Sequence, residues 1–389
     1  MRWRTPILGG TTVLAACIAV LLLPAGRTAE MAHIAAASSE AQAAGIAPRE
    51  RRSTAPVNLT IAATGDFLIH SPVWLRAAAN GGGHRYDFAP MFRYIRPYIR
   101  GADLAFCHME TPLTRKAPSG YPIFNTPPGL VRAIVSTGWD ACSTASNHSL
   151  DQGQFGIDAT LSTLRRHGID AAGTARSARG ARRIVLLRAK GVTVAFLAYT
   201  AVSNGQIEPH PWSVAWANPA EILSDARRAR RAGADAVVVN LHWGDEYATQ
   251  PSAFQVALAR RLTASRDITA VIGQHAHVVE PIRRINGKLV VFGEGNLISN
   301  QTPSCCAPGA QDGLLALLRL RVVPGGAARL RRVDYVPLWV RHPDYAVLPV
   351  RRALVHGLAP AGELKASWRR TVGTVGRRRV YAPWAARRP

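Results

Sequence analysis

Acidic residues are scarce in this chain of 389. There are 24 Asp and Glu against 48 Lys and Arg, a formal net charge of +24, and nearly all the cations are arginine. Cysteine is sparse too, five in all, and thiolates are missing from every polar cluster considered below, which argues against a structural zinc site. No internal repeat is visible, and no recognisable nucleic-acid module accompanies the basic charge, so nucleic acid is not expected as a partner. Nothing in the composition is collagenous or disordered. What is present is 48% hydrophobic residues, enough to bury a sizeable core, at a length that suits one large or two ordinary domains. The arginine excess has two readings. One is a coding genome rich in G and C. The other is attraction to a polyanion, because a positive surface raises the local concentration and on-rate of acidic partners.

The amino terminus bears on compartment. Arg2 and Arg4 precede an apolar run from Ile7 to Leu23, followed by Pro24-Ala25-Gly26-Arg27. Basic flank, apolar run and small residues are the parts of a secretory signal. The run is also near the lower length limit for a spanning helix, so an uncleaved anchor fits equally. Leu14-Ala15-Ala16-Cys17 resembles a lipobox, but the apolar run continues past Cys17, which argues against lipidation. Either way the positive flank stays in the cytoplasm and the rest lies outside, making an extracytoplasmic protein, membrane-anchored or secreted. Residues 1–28 are therefore read as signal peptide or anchor, 29–56 as a linker, 57–340 as one catalytic-type domain and 341–389 as an Arg-rich C-terminal extension. Cys107 and Cys142 sit in apolar strand-like runs and are expected as inert core residues. Cys305 and Cys306 are adjacent in a Pro/Gly-rich loop, where an oxidising compartment permits a disulfide that the sequence cannot assign.

Strands and helices alternate after Thr64-Gly65-Asp66. Strands are expected at 59–63, 104–107, 141–144, 236–241 and 270–273, and helices at 89–100, 129–136, 155–167, 219–232 and 252–264. Gly191 closes a hairpin between 184–188 and 192–199. Asn286-Gly287 closes another, since both turn residues tolerate positive φ. A further hairpin surrounds Pro324-Gly325-Gly326. Mixed strands with helices on the outer faces point to an α/β sandwich. The tail from 341 shows one weak helical segment near Trp368 and is left without an assignment.

Polar residues recur immediately after the apolar strands: Asp66, Glu110, Asn147-His148, His242, then His275 and His277. In open α/β sheets, ligands bind outside the carboxyl ends of the strands. Five strands delivering carboxylate, amide and imidazole groups to one edge suit one or two divalent ions, Mn, Zn or Fe. Taken singly, an Asp after a strand is an ordinary cap and an Asn-His pair ordinary loop polarity. Gly273-Gln274-His275-Ala276-His277 is more specific, because two histidines flanking one residue point the same way on an extended backbone.

The ordered set of Gly65-Asp66, Met109-Glu110-Thr111-Pro112-Leu113, Ser146-Asn147-His148-Ser149-Leu150-Asp151, Leu241-His242-Trp243-Gly244 with Glu246-Tyr247, Gly273–His277 and Gly293-Glu294-Gly295-Asn296 resembles the poly-γ-glutamate capsule-synthesis (CapA-type) family, a branch of the calcineurin-like metallophosphoesterases. The resemblance runs from about Leu59 to about Asn300. It implies a metallophosphoesterase-like αββα sandwich with mixed sheets, and a membrane-associated protein that helps make or export an acidic surface polymer, alongside a membrane-bound polymer synthase. It further implies Asp66, Glu110, Asn147, His242, His275 and His277 as metal ligands. His148 would steady the transition state or protonate the leaving group, Asp151 would orient His148, and Glu246 and Asn296 would fix ligand orientation. Two departures stand out. The superfamily's Asp-x-His becomes Asp66-Phe67-Leu68, with His70 the nearest histidine, and its Gly-Asp-x-x-Asp is replaced by Glu110 within Cys107-His108-Met109-Glu110. The loss of one histidine puts two-metal occupancy in doubt.

Three functions follow as expectations: polymer biosynthesis at a metal-dependent hydrolase- or transferase-type site, a secreted phosphoesterase for phosphate-linked wall polymers or lipids, or a non-catalytic membrane scaffold for polymer export.

Overall fold

Strand β1 (Val57–Phe67) lies at the middle of the first of two sheets, where the chain's parallel and antiparallel halves meet. On one side it pairs in parallel with β2 (Leu104–Met109), followed by β3 (Ala141–Ser143) and β4 (Asp170–Ala172). The second sheet opens with the antiparallel pair β5 (Val185–Ala189) and β6 (Val192–Thr200). It continues in parallel through β7 (Ala236–Trp243) and β8 (Ala270–His275), and ends in the hairpin of β9 (Ile282–Ile285) and β10 (Lys288–Val291). Short β11 (Asn296–Ile298) returns to the first sheet beside β1. On the other side of β1 the first sheet is antiparallel: β12 (Asp312–Val322), β13 (Arg329–Arg341) and β14 (Ala346–Pro349). The computed structural model describes residues 55–323, 328–377 and 380–381. The segment read as signal or anchor, Cys17, most of the linker and the turn at Pro324-Gly325-Gly326 lie outside the described residues.

Alternation along the strands sorts side chains into layers. On β2, Phe106 faces the second sheet, while Ala105, Cys107 and Met109 face helices. On β7, Val238 faces the first sheet, while Val237, Val239 and Leu241 pack outward. Phe106 and Phe196 meet between the sheets with ring centroids 4.4 Å apart. Helices Ser71–Asn80 and Leu130–Thr137 cover the outer face of the first sheet. Helices Pro219–Arg231 and Ala253–Ala264 cover that of the second. The result is the expected αββα sandwich with mixed sheets. Both helices on the second sheet start where their caps dictate: Asn218 accepts from Ala220 and Glu221, and Ser252 with Gln255 forms a reciprocal capping box.

The single helix expected over 89–100 is instead a 3-10 turn (Ala89–Phe92) and a short helix (Arg96–Arg100). Pro90 and Pro97 each open a new piece, since proline suits a first turn and breaks an interior. Cys107 and Cys142, expected as separate core thiols, form a disulfide between register partners on β2 and β3. Cys305 and Cys306 also form a disulfide. The tail beyond 341 contributes β14 and helices Val350–His356 and Ala361–Val375. Arg370 donates to both oxygens of buried Asp312, at 2.6 and 3.0 Å. Among the described residues, no helix is long and apolar enough to cross a membrane.

Candidate metal centre

The layer between the sheets changes character at the carboxyl ends of the parallel strands. On β2 the face that carries Phe106 continues through His108 to Glu110, and on β7 the face of Val238 continues through Asn240 to His242. Asp66 and His108 are register partners on β1 and β2, and Trp243 is the partner of His275 on β7 and β8. Close backbone approach ties the end of β1 to the segment that leads into β11 here. Asp66 N–H donates to Gly295 O (3.1 Å), and a Cβ on Gly65 would lie 1.8 Å from that same oxygen, so only glycine fits at 65.

Asp66, Glu110, His242, His275 and His277 converge into one buried cluster. Asp66 Oδ2 accepts from the His275 N–H (3.2 Å) and lies 3.4 Å from His277 Nδ1, while its Oδ1 has no hydrogen-bond partner. Glu110 Oε1 lies 3.8 Å from His277 Nε2 and 3.9 Å from His242 Nε2, and neither of its oxygens has a hydrogen-bond partner. Asn147 joins the group through its Oδ1, 2.9 Å from His242 Nε2. Four overlapping sets of three ligand atoms each fall within 4.8 Å: Asp66/His108/His242, Glu110/His242/His275, Glu246/His275/His277 and Asp66/Glu110/His277. Buried carboxylate oxygens without donors are expensive unless a cation faces them, and this donor set of oxygen and imidazole nitrogen suits a divalent transition ion. The residues therefore fit a metal.

Protonation follows the same geometry. Burial drives His242 well below the usual imidazole range, His275 down to about 3 and His108 to about 4, so all three carry lone pairs at neutral pH. Burial opposes a charge on His277 as well, but the Glu110 and Asp66 carboxylates outweigh it and lift that ring to about 9. Burial raises the Glu110 carboxyl well above its ordinary value. The cluster thus holds protons where a cation would hold charge, and a metal entering it would displace the proton of His277.

Beside the cluster, Asp151 Oδ2 lies 2.8 Å from His148 Nδ1 and also accepts the Phe124 N–H at 2.7 Å. His148 rests edge-on against Phe124. Asn296 Oδ1 lies 3.0 Å from His277 Nδ1, and its amide donates to Gln301 and to Ala310 O. Glu246 is exposed, 4.0 Å from His277 Nε2.

The expectation of an extended backbone through His275-Ala276-His277 is corrected. β8 ends at His275, and both histidines take positive φ, 96° and 56°. Such values cost a non-glycine residue about 1–3 kcal/mol and persist where the surroundings over-determine them. Here Tyr247 N–H donates to Ala276 O (2.7 Å) and pins the turn. His70 does not replace the histidine absent at 68: its Nδ1 accepts the Asn300 N–H at 3.2 Å and it belongs to none of the ligand groups. Three residues went unnoticed in the sequence. His108 shares a strand face with Glu110, and alternation along 106-108-110 would have found it. Asn204 Oδ1 accepts from Asn147 Nδ2 (3.1 Å), and Gln206 Nε2 donates to Asp151 Oδ1 (2.9 Å). Both lie on the loop after β6, where no pattern in the sequence marks them.

Fold and cluster together define an αββα protein built around a buried carboxylate–imidazole site of metal-ligand type. The chain belongs to the family of the bacterial capsule synthesis protein PGA_cap, whose pattern matches residues 60–301, and the resemblance drawn from the motifs is thereby borne out. It is 28% identical over 269 residues to "Capsule biosynthesis protein CapA" of Bacillus anthracis (66% of this chain, 63% of that protein). It is 30% identical over 219 residues to "PGA biosynthesis protein CapA" of Bacillus subtilis (54% and 57%). The chain thus spans less than two thirds of either relative. A calcineurin-like phosphoesterase from Bacillus subtilis is similar in structure, with 14% identity and a TM-score of 0.47, over 81% of this chain and 100% of that one.

Proposed function

We propose that this chain is a metal-dependent enzyme of acidic surface-polymer biosynthesis, of hydrolase or transferase type, acting on poly-γ-glutamate or a similar polymer. The observation that carries it is the set of buried Asp66 and Glu110 oxygens without donors, ringed by imidazoles. Asp66, Glu110, Asn147, His242, His275 and His277 would hold one or two ions. A bound divalent ion supplies Lewis acidity and a nucleophilic water at neutral pH. His148, held through Nδ1 by Asp151, presents its other nitrogen as a general acid toward a leaving group. Phe124 and Asn204 fix the plane of that ring. The same arrangement serves a second reading, a phosphoesterase acting on wall polymers or lipids, because an imidazole held beside a metal site suits a phosphate ester equally.

The test is metal analysis of the purified chain with turnover of polyglutamate and of model phosphodiesters. His275→Ala should lose metal, while His148→Ala should keep it and lose turnover by about 10²–10⁴-fold, the range for a missing general acid. Equal metal in wild type and His275→Ala would remove the assignment and leave a non-catalytic scaffold in the lead. Phosphate release without polymer cleavage would favour the second reading.

We infer that the protein works outside the cytoplasm. The pattern over 1–28 supports this, and so do the Cys107–Cys142 and Cys305–Cys306 disulfides, since such bonds persist in oxidising compartments. A reporter fused after Arg51 should be active only outside, and cytoplasmic activity would end the inference.

A further inference from the structure

His108 is a fully buried histidine with nothing to bond to. Its side chain has no exposure, and neither ring nitrogen has a hydrogen-bond partner. Its ring is stacked on that of His242, centroids 4.8 Å apart and 23° from parallel. Its Nε2 lies 3.6 Å from Asp66 Oδ1, itself an oxygen without a donor. That separation is too long for a hydrogen bond, whose N···O distance is about 2.7–3.2 Å. It is the right length for two atoms sharing an ion: ligands each about 2.1 Å from a tetrahedral metal are about 3.4 Å apart.

The place has a reason to need this residue. Position 68, where an Asp-x-His pattern would supply an imidazole, holds buried Leu68, and His70 beyond it is engaged by Asn300. His108 reaches the same carboxylate from the neighbouring strand, because Asp66 and His108 are register partners on β1 and β2. With Asp66 and His242 it completes a set of ligand atoms within 4.8 Å, beside the set of Asp66, Glu110 and His277.

We propose that His108 Nε2 is a metal ligand, serving through Asp66 the ion position that Leu68 cannot. The proposal rests on the metal-dependent reading above and goes beyond it in naming which strand supplies the imidazole. It makes the departure at Leu68 a relocation of the ligand from the segment just after β1 to β2, so the centre keeps the donors for a second ion.

The experiment uses the full chain, stripped with a chelator and reloaded with Zn²⁺ alone. Bound metal is counted by mass spectrometry and affinity measured by titration, in wild type and in His108→Phe, which keeps the ring's bulk without its nitrogens. Wild type should bind more zinc than His108→Phe, by about one equivalent, or hold it at least tenfold more tightly, with unchanged circular dichroism. Identical stoichiometry and affinity in the two would overturn the proposal while leaving metal dependence standing. No zinc on wild type at all would overturn both. Should His108→Phe fail to fold, anomalous diffraction from zinc-loaded wild type decides: an ion about 2.0–2.1 Å from His108 Nε2 supports the assignment, and ions only beyond bonding distance refute it.

Discussion

The histidines of the cluster pull the stability of the metal-free chain in opposite directions as pH changes. Burial holds His108 at about 4 and His275 at about 3, against an ordinary 6.5. Below pH 6.5 the unfolded chain takes up protons that the folded chain refuses, so stability drains as pH falls from 6.5 toward those values. For His108 the full loss is about 3 kcal/mol, from a displacement of about 2.5 pH units at 1.36 kcal/mol each. His277 has the reverse sign. Its folded value, about 9, lies above 6.5, so its contribution is complete below 6.5 and is lost as pH rises to 9. Metal-free protein should therefore lose thermal stability as pH rises from 6.5 to 9 and His277 gives up its proton. Below 6.5, His108 and His275 oppose the buried carboxyls of Glu110, Glu280 and Glu294, whose raised values favour the acid side. A saturating divalent ion should flatten the alkaline decline, because it replaces the proton of His277 as partner to Glu110 and Asp66. Thermal scans from pH 4 to 9, with and without zinc, check this; an alkaline limb indifferent to metal would count against the cluster as its binding site.

At the scale of the element, the centre depends on backbones passing closer than side chains allow. A Cβ at Gly273 would lie 2.0 Å from Phe292 O and 2.3 Å from Trp243 Nε1, so β8 can sit against both only with glycine there. This explains why Gly65, Gly273 and Gly295 stand next to the polar residues of the motifs, and the residues that gather in the cluster could be read from sequence because each follows an apolar strand. Elements that are buried on one clear face were equally legible: helices 219–231 and 253–264 fall within a residue of their expected ends. Helix Ser71–Asn80 was not, because only Val73 and Ala77 of it are buried and its alanines carry no period. Strands β4 and β11, three residues each, are too short for alternation to show. The turn through His275–His277 was misread since positive φ at histidine is imposed from outside, by Tyr247 and the Asp66 carboxylate, and leaves no local trace.

At the scale of the whole molecule, the unspent feature is charge. Several of the arginines have structural partners: Arg370 holds Asp312, Arg319 and Arg332 share Asp334, and Arg183 pairs with Asp170. With only 24 acidic residues for 48 basic ones, most of that excess has no carboxylate to meet within the chain. A surface of this kind attracts a flexible polyanion through many weak contacts, each screened within about 8 Å at physiological ionic strength. The full chain should consequently bind polyglutamate with an affinity that falls steeply between low and high salt, and should bind a neutral polymer of equal length far more weakly. Two origins of that binding are separable. If the metal centre supplied it, stripping the metal or replacing His275 would weaken it at every salt concentration. If the arginine surface supplies it, as the charge count argues, those changes should leave the salt dependence intact, and turnover alone should respond to them. Binding to polyglutamate no tighter than to the neutral polymer would leave the arginine excess to genome composition.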